Sequence, residues 1–247
     1  MAHFLVLRKL YTMTKRKRIW IDDACYHITH RCHGREFLFK FEKYRNIYHK
    51  QLFEAGKRFD IDFLNYMVTS NHVHLLVTSR HSEQIPDALQ FIHSTAGQAY
   101  NRARQREGAF WTDRFSSTLI QSGEHLRQCF LYIDLNMVRA GVVKHPAEWK
   151  HCGYSELAEE RKRYRIINVE SLLQCMEFRK FEDFKSWHRL ALKEKLKKND
   201  LKREQYWSNA IALGEPDWLC SIASQSGLKR YKIEEENSYT HFLMGKK

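Results

Sequence analysis

The stretch Asn71-His72-Val73-His74-Leu75-Leu76-Val77-Thr78 decides the fold. Its alternation predicts a strand, and side chains alternate across a strand. His72 and His74 therefore share one face, and Val73, Leu75 and Val77 share the other. The aliphatic face calls for a cover of helices. The histidine face is left for another purpose.

Working outward, Ile61–Thr69 reads as the preceding strand, with Ser70-Asn71 as the break between them. Cys25–Arg31, with β-branched and aromatic residues among polar ones, reads as an earlier strand. Between them a helix is expected over Glu42–Ala55, where Tyr44, Ile47, Tyr48 and Leu52 recur at helical spacing and Gly56 offers a stop. Downstream, Ser82 is placed to cap a helix through Arg102, with Ile85, Leu89, Ile92 and Ala96 on one face. Phe115–Gln121 reads as a fourth strand, and Glu124–Ala140 as a helix ended by Gly141. The order is β-α-β-β-α-β followed by a helix. That order predicts an α+β chain with a ferredoxin-like (RRM-like) antiparallel sheet, two helices on one face and the tyrosine-bearing last helix on the open face. The order alone assigns no function, because such sheets host many.

After Pro146 the periodicity weakens. Ala191–Glu204 reads as a basic amphipathic helix, and Trp187, Trp207 and Trp218 imply packing. The expected division is a basic N-terminal extension over 1–20, a main domain over 21–145 and a helical accessory region over 146–247.

The chain has 247 residues and a net charge of +13, from 42 Lys and Arg against 29 Asp and Glu. Such a surplus favours a polyanionic partner, because each phosphate neutralised releases a condensed counterion. Cysteines at 25, 32, 129, 152, 175 and 220 form no CxxC pair, which argues against a zinc ribbon and suits a reducing cytoplasm. No apolar run is long enough to span a bilayer, so no membrane partner is expected. The mildly apolar Met1–Leu10 precedes Lys15-Arg16-Lys17-Arg18 instead of following it, the reverse of a signal peptide; Met13 is an alternative start. Arg16, Lys17 and Arg18 are candidates for DNA contact or for an ordinary solvated tail.

Two imidazoles at His72 and His74, two residues apart on one strand, suit one divalent metal and tolerate oxygen donors beside them. Taken alone, a His-x-His strand is more often structural. Tyr132 and Asn136 stand four apart, on one face of a helix. Tyr132 offers a covalent nucleophile and Asn136 a neutral oxygen, although a core aromatic and a near-cap residue describe that pair equally well in isolation. His27, His30, Cys32 and His33 suggest zinc at first sight, but on a strand His27 and His30 face opposite ways.

The joint pattern is more specific. Asn71–Val77 resembles the His-hydrophobic-His signature of the HUH single-tyrosine transposases. Tyr132-Ile133-Asp134-Leu135-Asn136-Met137-Val138-Arg139-Ala140-Gly141 is similar to their tyrosine helix. Tyr26–Cys32, Arg35–Phe39 and Phe110–Phe115 resemble segments of the REP-associated tyrosine transposases. The resemblance covers about residues 16–155 and departs at two places: Ser70 and Met137 stand where the family usually has Pro. Without Pro at 137 a straighter tyrosine helix is expected.

The resemblance implies that residues 21–145 are catalytic and that His72, His74 and Asn136 hold Mg²⁺ or Mn²⁺. It implies that Tyr132 attacks phosphorus in single-stranded DNA folded into hairpins (REP-like palindromes), leaving a 5′-phosphotyrosine link. Arg114 and Arg139 become candidates for phosphate contact, and a homodimer exchanging its tyrosine helices is an open arrangement. The rivals are a domesticated or non-catalytic hairpin-binding protein, an RNA-binding sheet, and a replication initiator or relaxase. An RNA-binding sheet would carry exposed aromatics where this chain has histidines.

Overall fold

The computed structural model describes residues 18–159, 163–228, 231–237 and 240–245. Its first half runs β1 (Cys25–Arg31), α1 (Glu42–Arg58), β2 (Asp62–Val68), β3 (His72–Thr78), α2 (Gln84–Arg104), β4 (Ser116–Ile120) and α3 (Glu124–Asp134). The four strands lie in the order β2-β3-β1-β4, each pair antiparallel. Thr69 tightens the turn between β2 and β3: its hydroxyl donates to the His72 carbonyl at 2.8 Å and accepts from the His72 N–H at 3.0 Å.

Register separates the faces. Tyr26 pairs with Val77, Ile28 with Leu75 and His30 with Val73, so these share the face under α1 and α2. All but His30 are essentially fully buried. His27, Thr29 and Arg31 pair with Leu76, His74 and His72 on the opposite face. There α3 is fastened to the sheet by Asn65, whose amide donates to the Phe130 carbonyl at 3.4 Å and to Asp134 Oδ1 at 3.0 Å.

Some boundaries differ from those expected. Helix α1 runs through Gly56 to Arg58. Helix α2 begins at Gln84, because the Ser82 hydroxyl donates to Asp22 Oδ1 at 2.7 Å instead of capping. The straight helix expected over Met137 is not formed. Leu135, at φ −79° and ψ 2°, separates α3 from α4 (Asn136–Arg139). Gly141, at φ +69°, then ends the helix as expected. Its N–H donates to the Val138 carbonyl and that of Val142 to the Met137 carbonyl, which satisfies two terminal acceptors.

The C-terminal region carries α5 (Gly153–Ala158), α6 (Val169–Cys175), α7 (Phe181–Lys197), α8 (Tyr206–Asn209) and α9 (Pro216–Gln225). It also carries strands, which the helical reading did not include: β5 (Ala212–Leu213), β6 (Tyr231–Asn237) and β7 (Thr240–Gly245). β5 pairs parallel with β4, extending the sheet to seven strands in the order β2-β3-β1-β4-β5-β7-β6. Two-residue β5 has too little pattern to read, and charged β6 lacks the apolar alternation of a half-buried strand. The amphipathic helix expected over 191–204 ends at Lys197, so Arg203 and Glu204 lie outside any helix or strand.

Buried polar contacts bind this region to the first half. His188 Nε2 and Asp134 Oδ2 are 2.7 Å apart, and the Tyr66 hydroxyl donates to Glu156 Oε2 at 3.0 Å. Gly153 lies so close to the sheet that a Cβ there would stand 2.2 Å from Asn65 Oδ1 and 2.9 Å from Ile167 Cδ1. Overpacking of this kind costs about 1–3 kcal/mol. Gly153→Ala should therefore lower the urea midpoint, with Asn65 displaced from Asp134.

A second buried network lies under α2. His30 Nε2 is 2.6 Å from the Asp113 carbonyl, His30 Nδ1 is 3.1 Å from His93 Nδ1, and His93 Nε2 is 3.1 Å from the Tyr48 hydroxyl. A carbonyl only accepts, so His30 Nε2 is protonated and the chain is satisfied with both rings neutral. Burial lowers the His30 pKa from 6.5 to about 4 and that of His93 well below 6.5. Below pH 6.5 the unfolded chain takes up protons that the folded one does not. Stability present above that pH is therefore lost on acidification, by about 2 kcal/mol per histidine at pH 5. Urea midpoints should fall between pH 7 and 5, and less steeply in His93→Gln.

Candidate active site

β3 and α3–α4 bring the four central residues together. The amide of Asn136 reaches His74, with Nδ2 and Nε2 3.0 Å apart. The Tyr132 ring lies 6.2 Å from the His74 ring, centroid to centroid, at 72°. The His72 and His74 rings are 5.0 Å apart. Tyr132 and Asn136 come to the same place because they share a helical face, and the break at Leu135 occurs between them.

Hydrogen bonds define the ring edges presented. His72 Nδ1 is 2.7 Å from Asn71 Oδ1, a carbonyl oxygen, so Nδ1 carries the proton and Nε2 keeps its lone pair. His74 presents Nε2 to Asn136. Burial, then the positive charges of Arg31, Arg203 and Arg139, push the His72 pKa down to about 3. Burial and the neighbouring His72 and His27 hold that of His74 well below the usual range. Both imidazoles are thus neutral, with Nε2 lone pairs available to a ligand. Amide O and N are distinguished only by their hydrogen bonds, and a half-turn of the Asn136 amide places an oxygen beside the two imidazole nitrogens. Among the described residues no three His, Cys, Asp or Glu side chains are placed to hold a metal ion. The candidate set is two imidazoles and an amide, a donor set that fits a borderline or hard divalent ion.

These residues line a cleft of about 750 Å³, together with Arg31, Arg35, Arg114, Arg139 and Arg203. Asp113 and Glu204 are its acidic members. Arg139 places its guanidinium 4.0 Å from the Tyr132 ring centroid and donates to the Tyr132 carbonyl at 2.9 Å. Burial raises the Tyr132 pKa above its ordinary value, and Arg139 and Arg203 act against that rise. Arg114 is exposed on the cleft rim. Arg18 is committed elsewhere: its guanidinium stacks 3.7 Å from the Phe115 centroid and donates to the Phe115 carbonyl. Arg16 and Lys17 lie outside the described residues.

Sequence reading alone did not find Arg31, Arg35 and Arg203, nor a role for His27 and Trp207. His27 lies on the same face as His74, their rings 5.0 Å apart, whereas His30 turns to the α2 face. Trp207, from α8, packs 5.5 Å from the Tyr132 ring. Among the described residues no helix is long and apolar enough to cross a membrane.

No curated protein matches the sequence. The fold is similar to a solved structure described as the REP associates tyrosine transposase bound to a REP hairpin. That likeness has a TM-score of 0.52 and 17% identity, and covers 62% of this chain and 90% of the other. A putative transposase from Deinococcus radiodurans R1 is similar at 18% identity and a TM-score of 0.34, covering 46% of this chain and 90% of that one. The family model described as Transposase IS200 like matches residues 21–136, the segment that carries His72, His74, Tyr132 and Asn136. Over that segment the chain is similar to the IS200-like transposases.

Proposed function

We propose that the protein is a metal-dependent single-strand DNA transposase and endonuclease. In this reading it cleaves and rejoins hairpin-containing DNA through a 5′-phosphotyrosine on Tyr132. The observation that carries it is the convergence of His72, His74, Asn136 and Tyr132 in one arginine-lined cleft. The printed description of the structural neighbour, bound to a REP hairpin, supports hairpins as the DNA form.

His72, His74 and Asn136 would hold Mg²⁺ or Mn²⁺, which when bound polarises the scissile phosphate and neutralises charge building on it. The arginines hold the phosphates on either side. Tyr132 Oη attacks phosphorus, the P–O3′ bond breaks, and the departing 3′-oxygen takes a proton. The phenol must shed its own proton against burial, and Arg139 and Arg203 favour the phenolate. Attack by a 3′-hydroxyl on the phosphotyrosine reverses these steps and joins strands without a nucleotide cofactor.

One chain brings its own tyrosine to its own histidines, so we propose use of Tyr132 in cis. Mixing Tyr132→Phe with His72→Ala protein should then restore no cleavage. Recovery would establish exchange between subunits.

Cleavage of a labelled hairpin oligonucleotide should stop with EDTA and return with Mn²⁺. EDTA-resistant cleavage would remove the metal from the reading; binding without cleavage under all conditions favours the domesticated hairpin-binding alternative. Arg203→Ala should weaken binding with little regard to sequence. It should reduce the slope of log affinity against log salt by about 0.7, the value for one phosphate contact on a single strand.

A further inference from the structure

We infer that His27 is a positioning residue: through it the Trp207 carbonyl fixes His74 in the tautomer whose Nε2 is unprotonated. The consequence for metal binding rests on the function proposed above; the hydrogen-bond relay does not.

The relay follows from which atoms can donate. His27 Nδ1 lies 2.8 Å from the Trp207 carbonyl oxygen, which only accepts, so His27 Nδ1 carries a proton. In a neutral ring, His27 Nε2 is then an acceptor. It lies 2.8 Å from His74 Nδ1, which must donate to it. His74 Nε2 is left with its lone pair, directed at Asn136. Metal-binding histidines usually donate their second nitrogen to a carbonyl or carboxylate that fixes the tautomer. Here an intervening imidazole, nearly coplanar with His74 at 13°, carries that role.

The far end of the relay is anchored. The Thr118 hydroxyl donates to the Ala210 carbonyl at 2.9 Å, and the Leu119 N–H to the Ile211 carbonyl at 2.9 Å. The segment holding Trp207 is thereby tied to β4, beside β1. His27 is 1% exposed, so no bulk water substitutes for either partner. The C-terminal region is thus connected to the ligand face by two hydrogen bonds.

The test combines a metal-free and a metal-binding readout on the full chain. Long-range ¹⁵N–¹H NMR of the histidine rings, without metal, should show His74 protonated at Nδ1 and bare at Nε2. His27→Phe keeps the ring volume but supplies neither donor nor acceptor; it should admit the other tautomer and weaken Mn²⁺ binding by about 10–100-fold, measured calorimetrically. His27→Gln, which offers both an N–H and an oxygen, should restore most of that affinity. Binding of hairpin DNA without metal should be unchanged in both. A wild-type His74 protonated at Nε2, or Mn²⁺ affinity unaltered in a folded His27→Phe, would overturn the relay. If the wild-type tautomer is as stated but Mn²⁺ does not bind, the relay stands and the metal reading fails.

Discussion

With Phe in place of Tyr132, the protein should bind hairpin-containing single-stranded DNA as the wild type does and form no covalent adduct with it. The substitution removes one oxygen. The ring's packing on Trp207, at 5.5 Å, and under Arg139, at 4.0 Å, is kept. The cleft arginines proposed to hold phosphates are also untouched. Among the described residues Tyr132 is the only tyrosine lining the cleft. If Tyr132 is the nucleophile, as proposed, its loss lowers turnover by on the order of a thousandfold or more. Cleavage measured at enzyme excess, beside anisotropy binding curves, checks both halves. A variant that still cleaves at more than a few per cent of the wild-type rate would require a different nucleophile.

The second large effect belongs to His72→Ala. His72 is only partly buried and makes polar contacts with Thr69 and Asn71 in the turn before it and with Asn136, so its removal should cost less stability than that of the fully buried His74. It deletes one of the two imidazoles of the proposed ligand set. Cleavage should fall below detection at millimolar Mg²⁺, and calorimetry should show lost Mn²⁺ binding. His74→Ala is less informative. His74 is buried between His27 and Asn136, and its loss strands both partners. Cleavage by His72→Ala at the wild-type rate would sink the ligand assignment and leave the nucleophile assignment standing.

What was legible in the sequence was local. A period of two put His72 with His74, and a spacing of four put Tyr132 with Asn136. The strand and helix order of the first half followed from the same periodicities, and Gly141 marked a helix end that the structure retains. The break at Leu135 was not legible. A proline at 137 would have advertised it, yet the helix is interrupted at Leu135 with Met137 in place, next to where Asn136 meets His74.

Other parts of the site depend on register and on distant chain. Arg31 faces the cleft because it pairs with His72, and His27 meets His74 because β1 lies beside β3. Neither pairing can be counted from spacing. Arg203 and Trp207 come from beyond residue 200, after a helix that stops at Lys197 and before a two-residue strand. That segment joins the site through backbone pairing to β4. Backbone pairing leaves little trace in side-chain pattern.

The most direct measurement is to map the adduct itself. Incubate the protein with a labelled hairpin oligonucleotide and Mn²⁺, denature, digest with trypsin, and identify the nucleotide-bearing peptide by mass spectrometry. The expected result is a metal-dependent, heat-stable adduct whose 5′-phosphate is on Tyr132, absent with EDTA. An adduct on another residue, or cleavage with no adduct at all, would contradict the account.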